Sequence, residues 1–290
     1  MERIQESELI LNSRGAIYHL DLRPEEIAHN IITVGDPQRV QEVSKHFDSI
    51  ELKRHHREFV THTGYIGRKR FSVLSTGIGT DNIDIVFNEL DALVNIDFIS
   101  RSIKTDLTSL NIVRIGTSGA LQKDIPVDSF LVSTHGIGVD NLLNFYDFEP
   151  SHFDKELLNS FIKQTSLGDA VAKPYVNPSS QALLERFQDG FHHGITVTCP
   201  GFYGPQGRVL RLGLRHPKFI DQLSEFEFRG NRITNFEMET AGIYGMAKLL
   251  GHQALSINAI IANRIGGIFS KNPQNAIESL IEKTMSILVS

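Results

Sequence analysis

The sequence has one cysteine, no excess of positive charge and no long apolar run. A lone cysteine, Cys199, excludes an internal disulfide framework and suits a reducing compartment. A net charge of −5 provides no broad basic surface, so nucleic acid is not an expected partner. No apolar stretch approaches the length of a membrane span, and no membrane association is expected. Met1 to Leu11 is acidic and carries no apolar segment of the signal-peptide kind, so a cytoplasmic location is expected. There is no Gly-Lys-Ser/Thr phosphate loop, and no Gly-x-Gly-x-x-Gly follows the first strand. The histidine pairs His55-His56 and His192-His193 lack zinc-ligand spacing, and no His-Glu-x-x-His occurs. Internal repeats and low-complexity tracts are also missing.

What is present is an ordinary globular composition, 40% hydrophobic and 22% charged, in a chain long enough for one large domain. Residues 1–290 are therefore expected to form a single domain. Short β-branched runs at Ile31–Val34, Phe71–Leu74, Ile112–Ile115, Phe130–Thr134, Ile195–Thr198 and Ala254–Ala262 predict strands. Between them lie helical patterns. Ile83, Val86, Phe87, Leu90 and Leu93 recur at three- and four-residue spacings, predicting an amphipathic helix over Asp81–Asn95 with Asp81 as its cap. Further helices are expected over Asp154–Lys163, Phe219–Phe226, Glu237–Leu250 and Gln274–Leu288. Lys173–Ser180, with two prolines and two serines, reads as an exposed loop. Strands alternating with helices argue for an α/β sheet covered on both faces.

In such folds ligands gather where strands end in glycine-rich turns. Four segments read as ends of this kind: Val34–Arg39, Ser75–Gly79, Arg114–Ala120 and Cys199–Arg208. Glycine lets backbone N–H groups approach an anion, and a nearby arginine adds a planar fork that fits phosphate oxygens. Gly35 with Arg39 has this design, with Arg39 in the first helical turn after Asp36-Pro37. Arg114 with Gly116 and Thr117 has it again, and Arg57 is a third candidate. Each segment also has a plainer reading, since Gly-Asp-Pro is a common turn and an arginine after it is usually solvated. Arg114 fits that reading less well, because burying its charge unpaired at an apolar strand would be costly.

Taken together, these segments resemble the uridine phosphorylase branch of the nucleoside phosphorylase family. The matches are Gly35-Asp36-Pro37-Gln38-Arg39-Val40, His56-Arg57-Glu58-Phe59, Ser75-Thr76-Gly77-Ile78-Gly79, Arg114-Ile115-Gly116-Thr117 and Glu237-Met238-Glu239. They occur in the family's order, within a likeness running from about Tyr18 to Arg264. The resemblance implies a three-layer α/β/α fold around a central twisted mixed β-sheet. It implies a phosphate site at Gly35, Arg39, Arg57, Arg114 and Thr117, with Arg57 supplied by a neighbouring subunit. It implies that Met238 and Glu239 hold ribose, together with His19 from the neighbour. Tyr18, before that histidine, stands where the family usually has phenylalanine. On the residues alone, Glu237 and Glu239 equally read as acids opening a helix, Met238 as core and His19 as an exposed histidine.

The same resemblance assigns the base to Phe202, Gln206 and Arg208. Uracil presents carbonyl oxygens and an N–H; Gln206 offers donors and an acceptor, and Arg208 donors only. Purine-cleaving relatives carry an aspartate after the late strand, where this chain reads Ala262-Asn263-Arg264. The implied reaction is uridine plus phosphate giving uracil and ribose 1-phosphate, a pentosyl transfer in pyrimidine salvage. Arg208, Glu239 and His19 are its expected catalytic residues. Inorganic phosphate is the co-substrate, and no cofactor is required. Some family members bind a monovalent cation such as K+ at a subunit interface, through a glutamate that matches Glu58; Asn82 stands where a serine assists them. A homo-oligomer, dimer or hexamer, with shared sites is implied. Cys199 is expected to be structural. The alternatives are a purine nucleoside phosphorylase or nucleoside hydrolase of the same fold, and a non-catalytic nucleoside-binding protein.

Overall fold

The computed structural model describes residues 3–165, 167 and 173–290. Its strands, in chain order, are β1 (Asn30–Val34), β2 (Ser49–His56), β3 (Phe59–Ile66), β4 (Lys69–Ser75), β5 (Ile96–Asp97), β6 (Ser102–Ile103), β7 (Asn111–Ala120), β8 (Phe130–Gly138), β9 (Tyr175–Pro178), β10 (His192–Thr198), β11 (Glu227–Phe228), β12 (Asn231–Glu237), β13 (Gln253–Asn263) and β14 (Ile268–Phe269). The helices are α1 (Pro37–Ser44), α2 (Thr80–Asn95), α3 (His152–Thr165), α4 (Gln181–Leu184), α5 (Phe219–Glu225), α6 (Thr240–Leu250) and α7 (Pro273–Val289). Strands β5 and β6 pair only with each other. The other twelve form one mixed sheet whose main path is β11-β12-β10-β8-β13-β7-β1-β4-β3-β2. Strand β12 also pairs with β7, so part of the path closes on itself.

The centre of the sheet is parallel: β1 lies between β4 and β7, and β7 lies beside β13. Alternate residues of these strands face opposite layers, as the pleat requires. Ile31, Leu74, Ile112 and Ala254 join a core with Ile83, Phe87 and Leu90 of α2 and Ile243 of α6. Their neighbours Ile32, Val73, Val113 and Leu255 join a second core with Val40 of α1 and Ile277, Leu280 and Ile281 of α7. Both faces are thus covered, which explains why the central strands read as continuous apolar runs. Each of these valine, leucine, isoleucine and phenylalanine side chains, fully buried, contributes about 1.5–3 kcal/mol.

Several boundaries differ from the sequence expectation. Tyr175–Pro178, inside the expected loop Lys173–Ser180, is β9, paired antiparallel with β8; Tyr175, Val176 and Asn177 are buried. Two prolines and an asparagine disguise a strand lying against α3 and α6. Helix α2 is capped at Gly79, not Asp81, which lies in its first turn. Glu237 ends β12 and does not open α6, which begins at Thr240. Arg114 does not end its strand: β7 runs ten residues and holds Arg114 in its middle, because β13 pairs with it along its whole length.

Candidate active site

Strand β1 stops at Val34, opposite Ile115, while β7 continues along β13. A crevice therefore opens between Gly35 and Gly116, at the carboxyl ends of parallel strands. It belongs to a cavity of about 920 Å³ lined by Gly35, Arg39, Glu58, Arg114, Thr117, Phe202, Gln206, Arg208, Met238, Glu239 and Arg264, among others. Asp36 caps α1, its side chain accepting from the Gln38 N–H at 2.9 Å, with Pro37 at the first helical position. That geometry places Arg39 in the first turn. Among the described residues Arg39 makes no ion pair, and burial and the charge of Arg114 both act to lower its pKa.

Arg114 has the opposite surroundings. The residue is buried, and its guanidinium donates through Nη2 to Glu239 Oε2, lies 3.4 Å from Glu237 Oε2, and donates through Nη1 to Asn258 Oδ1 at 3.1 Å. Burial opposes its charge, but the two carboxylates outweigh burial and raise its pKa. Gly116 lies beneath this side chain. A Cβ there would meet Arg114 Nη1 at 1.8 Å, so no larger residue leaves the guanidinium in place.

The two glutamates have different tasks. Glu239 is aimed at the cavity, its Oε1 accepting from the Gly79 N–H at 2.7 Å. Glu237 is tied down by Thr198 Oγ1 at 2.8 Å and by the backbone N–H groups of Glu239 and Thr240. It therefore satisfies donors at the start of α6 from the strand before it. Met238, between them, is half-buried and lines the cavity, so it is not simply core.

At the other end, Gly204–Gln206 forms a single 3-10 turn that buries Gln206. The Gln206 Nε2 reaches the Glu237 carbonyl at 3.5 Å, and its Oε1 accepts from Arg208 Nη1 at 2.6 Å. The Arg208 guanidinium lies over the Phe202 ring, 3.7 Å from its centroid. Arg264, at the end of β13, donates to the Gln206 and Gly207 carbonyls at 2.9 and 3.5 Å. Two guanidiniums thus share this end of the cavity; burial and Arg264 lower Arg208 to about 10, still protonated at neutral pH. Cys199, just before this loop, is fully buried, and burial pushes its thiol pKa up, away from a nucleophile's range.

Two expected residues lie outside this cavity. Arg57 sits at the exposed tip of the β2–β3 hairpin with a left-handed φ of 54°, its guanidinium 5.7 Å from the Tyr18 ring centroid. His19 is beside it, tethered by Glu89 of α2, which accepts from His19 Nδ1 at 2.7 Å and from the His19 and Leu20 N–H groups. Glu58, next to Arg57, does line the cavity and accepts from Asn82 Nδ2 at 3.3 Å. The sequence reading missed Asn258, Arg264 as a cavity residue, Glu89 and the tethering role of Glu237. Only Arg264 left a signal, as the residue at the strand end where an acid was absent.

The profile of the phosphorylase superfamily matches residues 30–288. The chain is 27% identical over 288 residues to the uridine phosphorylase of Thermococcus kodakarensis, covering 99% of this chain and 92% of the relative. It is 27% identical over 279 residues to that of Haemophilus influenzae, covering 95% and 96%. Among solved structures it is similar to the Trypanosoma brucei nucleoside phosphorylase that shows uridine phosphorylase activity. That likeness has a TM-score of 0.88 and 28% identity, and covers 97% of this chain and 99% of the other.

Proposed function

The chain belongs to the phosphorylase superfamily, and we propose that it is a uridine phosphorylase, converting uridine and phosphate to uracil and ribose 1-phosphate. The observation that carries this reading is the order of charge along one cavity. Arg39 and Arg114 stand at one end, Glu239 in the middle, and Arg208 with Arg264 at the other, linked in sequence by the contacts of Glu239, Glu237 and Gln206. Phosphate fits the first end, ribose hydroxyls the carboxylate, and an electron-rich pyrimidine the last.

Each residue then has a physical task. As the bond from C1′ to the base breaks, its electron pair leaves with uracil, and the sugar gains oxocarbenium character. Arg208 and Arg264 stabilise the uracil anion more strongly than neutral uridine, which lowers the barrier. Gln206 fixes the base's orientation, and Phe202 covers the face on which Arg208 stacks. A phosphate oxygen held by Arg39, Arg114, Thr117 and the backbone at Gly35 forms the new bond to C1′. Glu239 and Met238 hold the ribose. The uracil anion takes its proton from water, so no protein acid is required at Arg264.

His19 and Arg57 act in this reading on a second copy's cavity, supported by their position outside their own, with Arg57 exposed and His19 half-buried. The enzyme is accordingly a cytoplasmic homo-oligomer, each chain one domain over 1–290. For a monovalent cation, Glu58 is a suitable oxygen donor, but the Asn82 amide turns its Nδ2 toward it, and one oxygen donor is too few for such an ion; a second copy would complete the set. The experiment is ultraviolet loss of uridine and inosine, with and without inorganic phosphate. Phosphate-dependent loss of uridine is expected. Preferential loss of inosine moves the chain to the purine branch, phosphate-independent loss makes it a hydrolase, and no loss of either leaves a binding protein.

A further inference from the structure

Strand β13 is apolar at its centre, with Leu255, Ile257, Ala259 and Ile260 all at 0% exposure. Asn258 sits among them, equally buried. A carboxamide there is costly unless its polar atoms are paired, and an aliphatic residue would pack as well. Its pairing is specific. Asn258 is in register with Gly116, and Ser256 with Arg114. The Asn258 Oδ1 accepts from Arg114 Nη1 at 3.1 Å, while its Nδ2 reaches Ser256 Oγ at 3.5 Å. Ser256 Oγ lies 2.8 Å from Thr240 Oγ1, the Thr240 N–H donates to Glu237, and Glu237 returns to Arg114 at 3.4 Å. The result is a closed ring of buried polar groups with one guanidinium in it.

We infer that Asn258 is a positioning residue for phosphate, holding the Arg114 guanidinium at the angle from which its remaining N–H groups face the cavity. The inference rests on the proposed reaction. Two carboxylates, Glu237 and Glu239, draw Nη2 toward α6. Without an acceptor on Nη1 the guanidinium is free to turn further onto them and away from the crevice. A neutral acceptor fixes the angle without cancelling charge that phosphate needs; a third carboxylate would fix the angle and cancel the charge.

This distinction supplies the test. Wild type, Asn258→Ala and Asn258→Asp are compared for kcat, phosphate KM, uridine KM at saturating phosphate, and melting temperature. Asn258→Ala is expected to raise phosphate KM by roughly ten- to a hundredfold, as for loss of a hydrogen bond to a charged group, and uridine KM by less than about twofold, the split that separates a positioning from a packing role. The near-isosteric Asn258→Asp is expected to fold, to bind phosphate at least as weakly as Asn258→Ala, and to recover as falling pH protonates the new carboxyl. Equal changes in both KM values, a lowered melting temperature with phosphate KM unchanged, or an aspartate variant with wild-type phosphate affinity would each overturn the assignment. Failure of the wild type to need phosphate defeats the proposed reaction instead, and is read from the wild type alone.

Discussion

Burial raises the pKa of Glu237. It lifts this carboxyl from its ordinary 4.5 to about 7, with Glu239 adding like charge and Arg114 pulling the other way. A pKa raised by folding means that the native state keeps a proton the unfolded chain releases. The group's stabilising contribution is therefore full below pH 4.5 and is lost as pH rises to about 7. Glu237→Gln keeps a carbonyl for the N–H groups of Glu239 and Thr240 but cannot ionise. The melting temperature of the wild type should fall relative to that of the glutamine variant across this window and run parallel to it above. A difference that does not change with pH rejects the idea. The same residue explains how Arg114 is buried at all: one carboxylate faces the cavity, and the other holds the helix start that presents it.

At the scale of elements, two of the clusters sit at junctions between a strand and a helix, β1–α1 and β12–α6, while Arg114 and Asn258 lie within strands. The β1–α1 junction is the simplest to test. Asp36 closes the first turn of α1 through the Gln38 N–H, and removing such a cap costs ~0.5–2 kcal/mol. Asp36→Ala should lower the denaturation midpoint accordingly, and Asp36→Asn, which keeps the acceptor, should restore most of it. If asparagine is as damaging as alanine, the cap is not what holds the turn. This junction was readable in the sequence because all its parts are local: strand, glycine, cap, proline, arginine. The central strands were readable because both of their faces are buried. The hairpin β2–β3 was not, since β2 is a polar edge strand with little apolar pattern. Strand β9 is disguised because the prolines and serines in and around it outweigh a short buried run. The pairing of Arg114 with Glu239 and Asn258 spans 125 and 144 residues, and no local spacing announces it. Asn258 in particular looks like an interruption in an apolar strand until β7 is placed beside it.

On the scale of the whole molecule, the cavity and the two residues missing from it belong to one argument. Arg57 extends from the exposed hairpin tip, and His19 is pinned by Glu89 on the same surface. Three donors from His19 and Leu20 converge on the Glu89 carboxylate and fix the ring of a half-buried histidine in one orientation. If a second copy receives these side chains, Arg39 and Arg57 serve the same phosphate from different chains. Arg39→Ala and Arg57→Ala should then each be weak in phosphorolysis. When the two variants are dissociated, mixed and reassembled, hybrid dimers carry both lesions in one site and neither in the other. Roughly a quarter of all sites become intact if pairing is random, and activity rises toward that fraction of the wild type. Sites formed within a single chain have no such remedy, and the mixture would only average its parents. The assay therefore separates a shared site from a self-contained one, even where size measurements alone report an oligomer.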